Sequence, residues 1–79
     1  MQTEELGDLI VFHRKRAGLS QTALASHAEV SRYVVQDLEA GVGRTTWGKL
    51  QSVLGVLNLR LEPAGPLVEE WRRNRREEA

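Results

Sequence analysis

Leu19-Ser20-Gln21-Thr22-Ala23-Leu24-Ala25 and Val30-Ser31-Arg32-Tyr33-Val34-Val35-Gln36-Asp37-Leu38-Glu39-Ala40-Gly41 decide the fold of this 79-residue chain. Ser20 and Ser31 each precede a short segment with helical spacing of apolar residues. A serine there can accept hydrogen bonds from the orphan N–H groups of a first helical turn. The pattern predicts one helix over Gln21–Ala28, burying Leu24, Ala25 and Ala28, and a second over Arg32–Ala40, burying Val35 and Leu38. Gly41 terminates the second helix. Small Ala25 lies where the two must cross closely. Two short capped helices joined by a tight turn make helix-turn-helix geometry, in which the second helix offers its N-terminal side chains to the DNA major groove.

Outward from this core, a first helix is expected from an N-cap at Thr3 to a stop at Gly18, with Leu6, Leu9, Ile10, His13 and Ala17 on one face. A fourth helix is expected to begin near Thr45 or Thr46 and to bury Trp47, Leu50, Val53, Leu54 and Leu57. Over Leu57-Asn58-Leu59-Arg60-Leu61-Glu62 the period changes from 3.6 to 2, which reads as a half-buried strand at 57–62. A lone strand leaves its backbone groups unpaired, and the same strand from a second copy is its simplest partner. A twofold dimer follows, with Leu57, Leu59, Arg60 and Leu61 at its centre. The alternative is an irregular extension folded back on the core. Pro63-Ala64-Gly65-Pro66 then divides a folded module, 1–62, from a charged tail, 63–79. In the tail, Pro66 suits the first turn of a short helix carrying Leu67, Val68 and Trp71 on one side, with Glu69 and Arg73 as an i,i+4 pair. That tail is either a solvated or dimer-packed appendage, or a segment ordering on a partner with Trp71 as its anchor.

Composition narrows the function. Eleven basic and eleven acidic residues cancel, 41% of positions are hydrophobic, and there is no cysteine. Thiol catalysis and cysteine-based metal sites are excluded. No apolar run approaches a membrane span, and Glu4, Glu5 and Asp8 give the N-terminus the wrong charge for a secretory signal, so a cytoplasmic protein is expected. His13 and His27 lack second ligands at helical spacing, so neither metal nor cofactor is expected. No nucleophile–base pair, paired carboxylates or phosphate loop stands out, so an enzyme is not expected. Within residues 13–49, Arg14, Lys15, Arg16, Arg32, Arg44 and Lys49 outweigh Glu29, Asp37 and Glu39. Whole-chain neutrality conceals this local excess.

At Gly18-Leu19-Ser20-Gln21, Leu24-Ala25, Val30-Ser31 and Glu39-Ala40-Gly41 the chain resembles the Xre-type helix-turn-helix family, which includes the Cro and phage-repressor DNA-binding domains. The likeness spans about residues 6–57. Thr45-Thr46-Trp47-Gly48-Lys49-Leu50 and Leu57 to Pro63 resemble the HipB-type antitoxin subgroup. The resemblance implies an all-α, four- or five-helix domain of the lambda-repressor type with a short C-terminal dimerisation strand. It further implies a homodimeric repressor of a palindromic operator, and a kinase-fold toxin as protein partner. It also implies an ion pair between Arg14 and Glu39. Three features depart from the family pattern. Glu29 replaces the usual turn glycine, His13 replaces an aliphatic residue, and Gly48 and Gly55 weaken the fourth helix without an evident packing reason.

The expected base-contacting residues are Ser31, Arg32, Tyr33, Gln36 and Asp37. Arginine suits guanine, glutamine suits adenine, aspartate accepts from cytosine or repels phosphate, and Tyr33 suits a thymine methyl or a phosphate. Gln21, opening the second helix, and Arg44, Thr45 and Thr46, in the loop before the fourth, are expected at phosphates. The alternative for each is an ordinary solvated residue, and Asp37 stands nearest to it. The rival readings are a stand-alone Xre-type regulator and a protein-interaction module without DNA function.

Overall fold

Capping chemistry sets most of the helix boundaries. The computed structural model describes residues 1–78 and contains five helices: α1 (Thr3–Arg16), α2 (Gln21–Ala28), α3 (Arg32–Glu39), α4 (Trp47–Val56) and α5 (Val68–Glu78). The last residue of the tail, Ala79, lies outside the described residues. Ser20 Oγ accepts from the Ala23 N–H (3.0 Å), Ser31 Oγ from Val34 (3.3 Å) and Thr46 Oγ1 from Lys49 (3.2 Å). These are the N-caps of α2, α3 and α4. Thr3 does not cap α1. Gln2 takes that position without a side-chain bond, and Thr3 is the first helical residue.

α1 to α4 stop in the same way. An N–H reaches back five residues: Leu19 to the Arg14 carbonyl (3.1 Å), Val30 to Ala25 (3.0 Å), Val42 to Asp37 (2.9 Å) and Leu59 to Leu54 (2.9 Å). The residue before each donor has positive φ: Gly18 (71°), Glu29 (58°), Gly41 (77°) and Asn58 (58°). This is the left-handed C-terminal cap, natural for glycine and tolerated by asparagine. Glu29 has neither advantage, so it occupies the strained option left open by the sequence. Glu29→Gly is therefore expected to stabilise the fold by about 0.5–1 kcal/mol, the relief of left-handed strain less the added freedom of the unfolded chain. A thermal melt checks this, and a midpoint at or below that of the parent contradicts it.

The core comprises Ile10 from α1, Leu24, Ala25 and Ala28 from α2, Val35 and Leu38 from α3, and Val53, Leu54 and Leu57 from α4 and its cap. Each of α1, α2 and α4 packs on α3, and α2 also packs on α4. The expected buried faces of α2 and α3 are met in full. On α1, Ile10 is buried, Leu6, Leu9 and His13 are half-buried and Ala17 is exposed. Gly7 is the buried residue with no side chain. A Cβ there would lie 2.7 Å from the carbonyl oxygens of both Leu38 and Glu39, so α1 rides directly on the end of α3. Trp47 is not a core residue. It is the first residue of α4, with no preceding turn to cover it, and is 58% exposed. Gly48 and Gly55 face open space, which leaves their presence without a packing explanation.

Beyond α4 the start of the expected strand is taken up by the end of the helix. Leu57 is the C-cap of α4 and belongs to the core, and Asn58 turns left-handed, so the alternating pattern cannot start before Leu59. No strand is formed among the described residues, and the segment at 59–64 carries neither helix nor ladder. Leu59 packs half-buried on the core, Arg60 is exposed, and Leu61 is 38% exposed. α5 makes no substantial packing with the other helices. Its Glu69 pairs with Arg72 (2.9 Å), not with Arg73, and Arg75 lies over the Trp71 ring (5.2 Å).

Candidate nucleic-acid interface

α3 rotates 100° per residue, so burying Val35 and Leu38 leaves Tyr33, Gln36, Asp37 and Ala40 on the opposite side, with Arg32 at its edge in the first turn. Arg32 and Tyr33 are exposed, and Gln36 and Asp37 half-buried. The Arg32 guanidinium lies 5.6 Å from the centre of the Tyr33 ring, so cation and aromatic form one unit at the start of the helix. The Ser31 hydroxyl accepts a hydrogen bond in the cap. Its proton remains available to donate.

Donors stand on both flanks of this stripe. On one side, Gln21 Nε2 donates to Glu39 Oε1 (3.0 Å). The same carboxylate takes two bonds from Arg14, from Nε to Oε2 (2.6 Å) and from Nη2 to Oε1 (3.0 Å). Arg14 Nη1 donates to the Leu19 carbonyl (3.0 Å). The pair is nearly enclosed, with 13% of the Arg14 side chain and 7% of Glu39 exposed. Hydrogen bonding to Glu39 holds the Arg14 guanidinium above its ordinary pKa, against burial, and the carboxylate charge adds to the effect. The expected Arg14–Glu39 link is present, and Gln21 joins it.

On the other flank, Arg44 reaches back from the α3–α4 loop to the Asp37 carboxylate (3.6 Å). Arg44 is 75% exposed, so this contact adds little stability and leaves the guanidinium accessible. It also engages Asp37, which competes with a role in reading cytosine. Thr46 remains exposed while capping α4. Thr45 does not present its hydroxyl outward: Oγ1 is buried without a partner, so that side chain is withdrawn from the expected phosphate-contacting set.

The chain matches no protein-family model, and no curated protein matches it. Local geometry therefore carries the functional reading. Elsewhere, His13 is half-buried and hydrogen-bonds through Nδ1 to the Leu9 carbonyl (2.8 Å), and His27 is exposed. Among the described residues no three His, Asp or Glu side chains converge to hold a metal ion. No described helix is long and apolar enough to cross a membrane. Pro63, Gly65, Pro66, Leu67, Val68 and Trp71 line a broadly open apolar hollow of about 680 Å³, walled by that single segment. Trp71 is 52% and Leu67 70% exposed.

Two contacts escaped the sequence reading: Gln21 to Glu39, and Arg44 to Asp37. Gln21 and Glu39 are eighteen positions apart on different helices, and no periodicity links them. Arg44 and Asp37 flank the Gly41 turn, and their opposite charges were the one available signal.

Proposed function

We propose that this chain is a cytoplasmic, homodimeric repressor that reads double-stranded DNA with α3 through helix-turn-helix geometry. It has no enzymatic activity on this reading. The observation carrying it is the exposed Arg32–Tyr33 pair on a helix flanked by Gln21 and Arg44. Arg32, Tyr33 and Gln36 would meet base edges, with the Ser31 hydroxyl as a further donor. Gln21, Arg44 and Thr46 would meet phosphates. The Xre-type resemblance of the same residues agrees. Selection of bound duplexes from random sequence tests the reading. An inverted repeat should emerge, its half-sites roughly 10–10.5 base pairs apart or a multiple of that. Failure to retain any duplex at low ionic strength overturns it.

Within that reading, Arg32→Ala should cost roughly 1–3 kcal/mol of operator affinity and relax discrimination at one position. Arg44→Ala, used as the reference, should weaken all sequences alike and lower the salt slope by about one. Binding measured across single-base operator variants checks both. Unchanged discrimination would remove Arg32 as a base reader.

Dimerisation is supported by the alternating segment after Asn58, where Leu59, Arg60 and Leu61 have no strand neighbour among the described residues. The matching segment of a second copy supplies one. Arg60→Pro deletes a ladder N–H and should leave monomers by light scattering, with poor operator affinity. A variant that stays dimeric refutes this interface. The HipB-type resemblance adds a kinase-fold toxin as a protein partner, and the exposed Trp71 and Leu67 favour such a contact over a purely stand-alone regulator.

A further inference from the structure

We propose that Glu39 is a positioning residue that holds the Gln21 carboxamide in place for a DNA phosphate. This rests on the DNA-binding reading and deepens it. An ionised carboxylate only accepts hydrogen bonds, so Gln21 must turn Nε2, not its carbonyl oxygen, towards Glu39. One of the two Nε2 protons is used at 3.0 Å, and the other stays available to a second acceptor.

A carboxylate beside a phosphate contact would ordinarily repel the phosphate. Here Arg14 cancels its charge through a two-pronged bond and leaves only 7% of the Glu39 side chain exposed. Arg14 also grips the Leu19 carbonyl, immediately before the cap of α2. The Ser20 cap fixes where α2 begins, and Glu39 fixes the first side chain on it. A glutamine immobilised before DNA arrives loses less rotamer freedom on binding than a free one. Without the carboxylate, Gln21 would be an ordinary surface glutamine.

The test separates tethering from stability. Arg14→Met combined with Glu39→Leu replaces a buried ion pair by apolar groups, a change that folds commonly tolerate. In the parent chain, Gln21→Ala should lower operator affinity about tenfold, the effect of one charge-assisted hydrogen bond. The double variant should show a comparable loss with a melting midpoint near that of the parent. Adding Gln21→Ala to it should cost nothing further. A full Gln21→Ala penalty in the double-variant background overturns the proposal.

A second measurement does not depend on the variant folding. The Gln21 side-chain amide of the free parent protein should show an NMR order parameter near that of rigid backbone, about 0.85, and not the value below about 0.6 of a flexible group. A mobile amide overturns the tether. If the amide is ordered but the parent binds no duplex, the tether stands and the DNA-binding reading falls.

Discussion

Glu39→Ala should remove about 3–5 kcal/mol of stability, the usual penalty for stripping one partner from an enclosed ion pair. A chain of 79 residues has roughly 4–12 kcal/mol in total, so this variant should sit near its unfolding threshold. The loss comes from what remains. Arg14, 13% exposed, would retain the Leu19 carbonyl as its one protein acceptor and carry an uncompensated charge. The double apolar replacement described above removes both charges and should come close to neutral. Urea titration of the two variants checks the contrast, and a loss below about 1 kcal/mol in Glu39→Ala would contradict an enclosed pair. The raised Arg14 pKa gives the pH dependence. Its contribution is fully present below the ordinary arginine value of the unfolded chain and is lost only as pH climbs through the higher folded value. The stability difference between the parent and the double variant should therefore stay constant between neutrality and about pH 10.

Gly7→Ala should also destabilise, by about 2 kcal/mol, although alanine is the better helix former by roughly 1 kcal/mol. The added methyl would meet two backbone carbonyl oxygens at 2.7 Å, and these move only if α3 moves. Displacing the end of α3 carries Glu39 away from Arg14, so the two substitutions should be non-additive when combined. A fall in melting temperature on the order of 10 °C is expected for a domain of this size. Gly48→Ala is the control: with open space around it, it should melt at or above the parent temperature. A Gly7→Ala protein as stable as the parent would mean that the helices do not approach this closely.

Several features were legible before the structure because their causes are local. Ser20, Ser31 and Thr46 announce helix starts within four residues, and Gly18 and Gly41 announce stops. The inner faces of α2 and α3 follow from spacing alone. What was missed depends on what lies across a gap. Gly7 reads as a weak helix residue until Leu38 and Glu39 are placed opposite it. Trp47 reads as core from its hydropathy, but a helix's first residue has less of its own helix around it. Leu57 satisfied the helical period and the alternating one together, and the left-handed turn at Asn58 decided for the helix. At the candidate interface, residue types were legible and their mutual contacts were not. Gln21 and Arg44 each engage a carboxylate, and the Thr45 hydroxyl turns inward.

The shared ending of α1 to α4 bears on how quickly the chain finds its shape. Each corner is specified by a hydrogen bond spanning only five residues, so the direction of the next helix is available as soon as the previous one stops. Few long closures remain, chiefly the docking of α1 on α3 and of α2 on α4. Low sequence separation between contacts gives rapid collapse to one topology, in microseconds to milliseconds. A newly made chain would therefore spend little time with its apolar faces open to aggregation.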